Sequence, residues 1–78
     1  MTGFTLRGAI TNVEQIASRR GIRSFRLLQR LCGRGNWRKL NGQALVKLAN
    51  GQVVVAELHW YEAHGIGRVG MKVKRLLE

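Results

Sequence analysis

The sequence predicts a small α+β domain in which two N-terminal helices pack on one face of an antiparallel three- to four-stranded sheet, in the order β-α-α-β-β-β. Apolar residues in the first half recur at the three- and four-residue spacing of helices. After Asn36 the spacing changes to two, and Asn50-Gly51 then marks a hairpin. The length of 78 residues leaves room for one domain, 1–78, with one small core.

The first predicted elements are a short strand and a helix. Phe4 and Leu6 alternate with polar neighbours, which indicates a brief opening strand. Thr11-Asn12-Val13-Glu14 has the form of a capping box, in which the Thr and Glu side chains each satisfy a backbone N–H group, so a helix is predicted to begin there. An apolar edge at helical spacing follows, formed by Val13, Ile16 and Ala17.

Gly21 then interrupts the helical pattern. It either separates two short helices or weakens one long helix, and a break is favoured. The second helix has an apolar stripe and ends at the glycine-rich stop signal 33–36. Cys32 lies on this stripe and has no second cysteine to pair with, which predicts a buried, reduced thiol. The stripe consists of Phe25, Leu28 and Leu31, widened by Leu27 and Cys32.

The second half predicts strands at 43–49, 52–61 and 69–74, with a glycine-bearing loop at 62–68. A strict two-residue turn at Asn50-Gly51 pairs Ala49 with Gln52, but it also sets Lys47 opposite Val54, and a bulge would repair that mismatch. One face of the second of these strands is predicted to lie against the helices, namely Val54, Ala56, Leu58 and Trp60.

The charge of the chain is strongly positive and unevenly distributed. Fourteen Lys and Arg stand against four acidic residues, all of them Glu, and positions 15–56 contain no acidic residue. Such a field repels itself unless an anion neutralises it. RNA is the first expected partner, an acidic protein segment is the second, and an anionic lipid or no specific partner is the third.

Several other functional classes have weak support. No apolar run approaches the roughly 20 residues of a membrane span, and Met1-Thr-Gly-Phe lacks the start of a signal peptide. With the unpaired thiol, this favours a cytoplasmic protein that does not bind membranes. His59 and His64 could join Cys32 or Glu62 around zinc, but no paired-cysteine motif supports it, so neither a metal nor a cofactor is expected.

Arginines in the helical region are predicted to bind nucleic acid. At about 100° per residue, Arg23, Arg26 and Arg30 lie within roughly 60° of one another around a helix, and a ridge of like charge fits phosphate binding better than a hydrated surface. Arg19 joins the ridge if the helix continues through Gly21. The full predicted set is Arg19, Arg23, Arg26, Arg30, Arg34, Arg38, Lys39 and Lys74.

A row of polar side chains on the second predicted strand of the hairpin could perform chemistry. Glu57, His59 and Tyr61 alternate, so they emerge about 6 to 7 Å apart on one face. Metal-independent RNA cleavage needs proton-transfer groups and cations, and histidine as a residue type suits either proton-transfer role. The alternative is a polar outer face of the sheet. The candidate catalytic residues are His59, Glu57, Tyr61, His64, Arg68 and Lys72. Trp60 is expected in the core, and Trp37 is either core or a platform for a base.

The predicted layout and the basic charge resemble those of the RelE/ParE superfamily of bacterial toxins. The resemblance implies metal-independent cleavage of mRNA, often on the ribosome, and neutralisation by an acidic or extended antitoxin segment. It would assign the chemistry to Glu57, His59, Tyr61, Arg68 and Lys72. The alternatives are a non-catalytic nucleic-acid-binding module and a basic adaptor for an acidic protein.

Overall fold

The computed structural model describes residues 3–77 and contains mostly β structure. The elements are β1 (Phe4–Leu6), β2 (Thr11–Ser18), a 3-10 turn (Arg19–Gly21), α1 (Phe25–Cys32), β3 (Arg38–Leu48), β4 (Val53–Ala63) and β5 (Gly67–Leu76). The predicted pair of helices packed on a sheet is wrong, because more than half of these residues lie in strands of one curled sheet. The ends of the predicted domain and the Met1-Thr2 start lie outside the described residues.

β3 is the central strand of the sheet. It pairs antiparallel with β4 on one side, and on the other side β2 covers its first half while β1 covers its last residues. β4 in turn pairs antiparallel with β5. The sheet is therefore four rows wide, with β1 and β2 together forming one interrupted edge row and β5 forming the other.

The segment predicted as the first helix is strand β2. Two β-bulges interrupt its pairing with β3, one between Thr11 and Glu14 and one between Gln15 and Ala17. Each bulge inserts one extra residue into β2 and so breaks the two-residue period of the strand. The apolar residues of β2 therefore fall at three- and four-residue intervals, as they would in a helix. The supposed apolar edge is not buried, since Val13 is 50% and Ile16 is 44% exposed. A helix of this length is marginal by itself, and pairing with β3 satisfies the same backbone groups.

The second predicted helix is confirmed as α1. The 3-10 turn ends at Gly21 and α1 begins at Phe25, so the chain does break after Gly21, but β2 and the 3-10 turn precede the break in place of the predicted first helix. Gly33 follows α1 with φ of +110°, which ends the helix as the stop signal predicts. α1 buries Leu28 against a small second core, in which the other buried residues are Ile22, Trp37 and Ala63.

The hairpin is confirmed, but its register differs by one residue from the strict two-residue turn. Leu48 donates its N–H to Gln52 O at 2.8 Å, so the loop contains three residues and ends with Gly51 at φ +88°. A three-residue loop of this kind carries its own bulge. Lys47 now lies opposite Val53, at two exposed positions, which removes the mismatch in the predicted register.

The main core lies on one face of the sheet. The four residues of β4 predicted to be buried are all less than 5% exposed, yet they pack inside the curled sheet instead of against helices. They contact other buried residues of the sheet and partly buried side chains such as Phe4 and Ile10. The described residues contain no helix long and apolar enough to cross a membrane.

Candidate nucleic-acid interface

Three cations and an aromatic ring meet in a depression where the 3-10 turn and the residues that follow it approach the sheet. The depression has a volume of about 410 Å³, and its polar walls include Arg23, Lys39, Tyr61 and Lys72. Apolar wall residues include Ile16. We call this depression the basic groove.

The sheet register brings these groups together. Tyr61 is on β4, and Lys39 lies opposite it on β3. Lys72 lies opposite His59 on β5, so the two lysines approach from the strands on either side of β4. The Lys39 ammonium lies 5.9 Å from the centroid of the Tyr61 ring. The sequence placed Lys72 in one candidate set with Tyr61, but it did not place Lys39 beside Tyr61, because β3 was predicted to begin at residue 43.

A second depression adjoins the basic groove. It has a volume of about 510 Å³ and contains Arg20, Arg23 and Arg26 around Phe25, with Gln29 at the helix. We call it the arginine pocket. Arg23 lines both depressions, so the two form one continuous basic surface. Arg20, Phe25 and Gln29 were not predicted as site residues. Nothing in their spacing along the sequence distinguishes them from ordinary surface and core positions.

The predicted arginine ridge takes a different form. Arg23 precedes the first residue of α1, so Arg26 and Arg30, four residues apart, are the two members of the ridge on the helix itself. Arg19 lies in the 3-10 turn, and Arg34 lies in the bend after α1. All five arginines are exposed.

Glu57 and His59 form a partly buried pair at the centre of the same sheet face. His59 is 9% exposed, and its Nε2 donates to Glu57 Oε2 at 2.7 Å. Arg75 Nε donates to the other carboxylate oxygen at 2.9 Å. The hydrogen bond from His59 is the main cause that lowers the pKa of Glu57. Partial burial of the carboxylate raises the pKa, and Arg75 lowers it further. This pair lies beneath the surface and presents little of itself to a ligand.

Two other predicted residues lie on the opposite face. Arg68 pairs with Glu62 in the register, with Nε 3.7 Å from Glu62 Oε1, and its guanidinium lies over the Trp60 ring. Arg38 donates to Glu62 Oε2 at 3.1 Å. Because Glu62 and Trp60 alternate with Tyr61 along β4, these arginines are separated from the basic groove by the sheet.

The remaining predicted residues are dispersed. His64 is exposed in the turn between β4 and β5, away from His59. Lys74 lies at a bulge of β5, between the pairs formed by Val73 and Arg75. Trp37 is fully buried and donates to Gly33 O at 2.9 Å, so it belongs to the core, as Trp60 does.

Ion pairing leaves the groove cations available. Across residues 3–77, the arginines paired with carboxylates are Arg38, Arg68 and Arg75. The basic groove and the arginine pocket contain no carboxylate among their wall residues. No group of three or more His, Cys, Asp or Glu side chains arranged to hold a metal ion occurs in this part of the chain. Cys32 is half-buried and free.

Comparison of the chain with protein-family models, with curated proteins and with solved structures gives no match. Function is therefore inferred from the geometry and charge of the residues described above.

Proposed function

We propose that this protein binds nucleic acid, with RNA as its ligand, through the basic groove. One observation carries the proposal: Arg23, Lys39, Lys72 and the Tyr61 ring line a single depression without a neutralising carboxylate in its walls. Cations and an aromatic ring placed together are the groups that bind phosphates and bases. The net charge of +10 supports the same ligand class.

The proposal assigns different roles to the side chains of the groove. Lys39 and Lys72 neutralise phosphates as compact charges, and Arg23 grips phosphate oxygens with its planar fork. Tyr61 offers its ring to a base. Glu57 and His59 lie under this surface, and Glu57 links β4 to Arg75 of β5.

The test is binding of a labelled mixed-sequence RNA, measured by fluorescence anisotropy over a range of salt concentrations. Lys39→Gln/Lys72→Gln should weaken binding about ten-fold or more at low salt. The slope of log affinity against log salt should fall in magnitude by about 1.4, because each lost phosphate contact contributes about 0.7 on a single strand.

The matched control is Arg7→Gln/Lys47→Gln, which removes the same charge at the other end of the sheet. Lys47 lies eight residues from Lys39 along β3, about 26 Å away. Equal losses in the two double variants would show a diffuse attraction by net charge and would contradict a site in the groove.

A metal-independent ribonuclease of toxin–antitoxin type is the second candidate function. The observation that favours it is the convergence of one phenol and two ammonium groups on one groove, since such groups can move protons and stabilise charge on a phosphate. The resemblance to RelE/ParE toxins now depends on charge, because the two-helix layout is not present in residues 3–77.

Cleavage is tested by incubating labelled RNA with the protein in EDTA, with and without ribosomes carrying mRNA. Discrete fragments that disappear with Tyr61→Phe, which keeps the ring and removes the hydroxyl, while binding persists, would establish the ribonuclease. Intact RNA in every reaction would leave a binding module. An acidic antitoxin would compete with RNA for the same cations. A cytoplasmic location fits both an RNA ligand and a free thiol.

A further inference from the structure

Two aromatic side chains lie in the two adjoining depressions, one in each. Tyr61 lies in the wall of the basic groove, Phe25 lies in the arginine pocket, and Arg23 lines both. Both rings are half-buried, so each keeps part of its surface open to solvent. A ring, a cation and a second ring are thus presented side by side on one surface.

The Tyr61 ring can accept a stacked base on its groove side. The Lys39 ammonium faces the ring at 5.9 Å from the centroid, close to the outer limit of about 6 Å for a cation–π contact. On β5, Gly70 packs so closely that a Cβ there would lie 3.3 Å from Tyr61 Cδ2. The ring is therefore fixed by the backbone of β5.

Phe25 is fixed in a comparable way. It is the first residue of α1 and packs partly buried against the core formed by Ile22 and Leu28. Arg20 and Arg26 supply guanidinium groups around it, and Gln29 supplies an amide that can both donate and accept hydrogen bonds. Phosphate oxygens and the edge of a base would each find a partner in this pocket.

We propose that the ligand is a single-stranded nucleic acid, and that two neighbouring bases stack on Tyr61 and Phe25 while Arg23 binds the phosphate between them. This inference rests on the proposed function. A duplex keeps the faces of its bases inside its own stack, so it cannot offer them to the two rings, whereas a single strand can. The volumes of the depressions, about 410 and 510 Å³, are in the range of small-ligand sites, about 300 to 1,000 Å³.

The experiment compares a ten-nucleotide single-stranded RNA with an RNA hairpin of equal charge whose paired strands are joined by a non-nucleotide linker, by anisotropy over a range of salt concentrations. We expect about ten-fold tighter binding of the single strand. Phe25→Leu and Tyr61→Leu should each weaken single-strand binding about five-fold or more, because a stacked base is lost. The salt slope should stay unchanged, because neither variant removes a charge.

Phe4→Leu is the matched control, since Phe4 is also half-buried but packs against the main core at the far end of β3. It should leave affinity unchanged. A strand containing 2-aminopurine provides a measurement on the unmodified protein, and its fluorescence should be quenched on binding as the base stacks.

A hairpin bound as tightly as the single strand, or unquenched 2-aminopurine, would overturn the inference while the proposed function stands. Full affinity in both folded leucine variants would do the same. Failure to bind either RNA at low salt would overturn both.

Discussion

His59 donates the hydrogen on its Nε2 to Oε2 of Glu57 across 2.7 Å, and the two residues occupy alternate positions of β4. His59 is 9% exposed, and its Nδ1 is buried without a hydrogen-bond partner in the described part of the chain. The only hydrogen bond that the structure gives this imidazole in the described residues is the one to Glu57. The position of His59 therefore suits support of the groove, and in the proposed function Tyr61 and the lysines beside it contact the RNA.

His59→Ala should destabilise the protein while sparing RNA affinity. The substitution removes a buried ring and leaves one oxygen of Glu57 without its donor, so we expect the free energy of unfolding to fall by about 1 to 3 kcal/mol. Urea denaturation measures this change. The matched control is His64→Ala in the exposed turn, which should stay within about 0.5 kcal/mol of the unmodified protein. Unchanged stability with loss of RNA cleavage would instead place His59 in the chemistry.

Stability should fall with acidification through the titration of Glu57. Its pKa is lowered from the usual 4.5, chiefly by the hydrogen bond from His59, so the folded state favours the carboxylate. The stabilisation is present above about pH 4.5 and is lost as the pH falls through the lower pKa of the folded state. Unfolding curves at pH 7, 5, 4 and 3 measure it. Glu57→Gln should flatten this acid limb, and a limb as steep as before would exclude Glu57 as its source.

The hairpin and the buried face of β4 were predictable because both depend on local patterns. Asn50-Gly51 favours positive φ, and the period of two in β4 separates buried from exposed positions over several residues. The helix stop at Gly33 is equally local. β2 was not predictable, since its pairing joins residues 20 to 32 positions apart and its bulges conceal the strand period.

Half of the basic groove was predictable for the same reason. Tyr61 and Lys72 emerge from the alternation of β4 and β5, and they lie near each other once the two strands pair. Placing Lys39 opposite Tyr61 requires β3 to continue through Asn41 and Gly42, which resemble strand breakers in sequence. The close packing around Gly42 becomes visible only in three dimensions.

Gly42→Ala should be clearly destabilising. A Cβ at this position would lie 2.6 Å from Ile10 Cγ2, 3.1 Å from Trp60 Cη2 and 3.2 Å from Thr11 O. Overpacking of this kind costs about 1 to 3 kcal/mol, measured by urea denaturation. Gly8→Ala is the matched control because a Cβ there meets nothing within 4 Å. Similar stabilities for the two variants would mean that Ile10 moves aside at little cost.

Arg68→Gln should lower RNA affinity no more than Lys47→Gln, which removes one charge far from the groove, although the sequence made Arg68 a candidate catalytic residue. Arg68 lies beside Glu62 and over Trp60, on the face of the sheet opposite the groove. Arg23→Gln removes the same charge from the wall shared by both depressions, so it should weaken binding more strongly and reduce the salt slope by about 0.7. Anisotropy titrations of both variants, beside Lys47→Gln, measure the difference. A larger loss from Arg68→Gln than from Arg23→Gln would place the RNA on the other face of the sheet, where Glu62 already engages the arginines, and would contradict the groove.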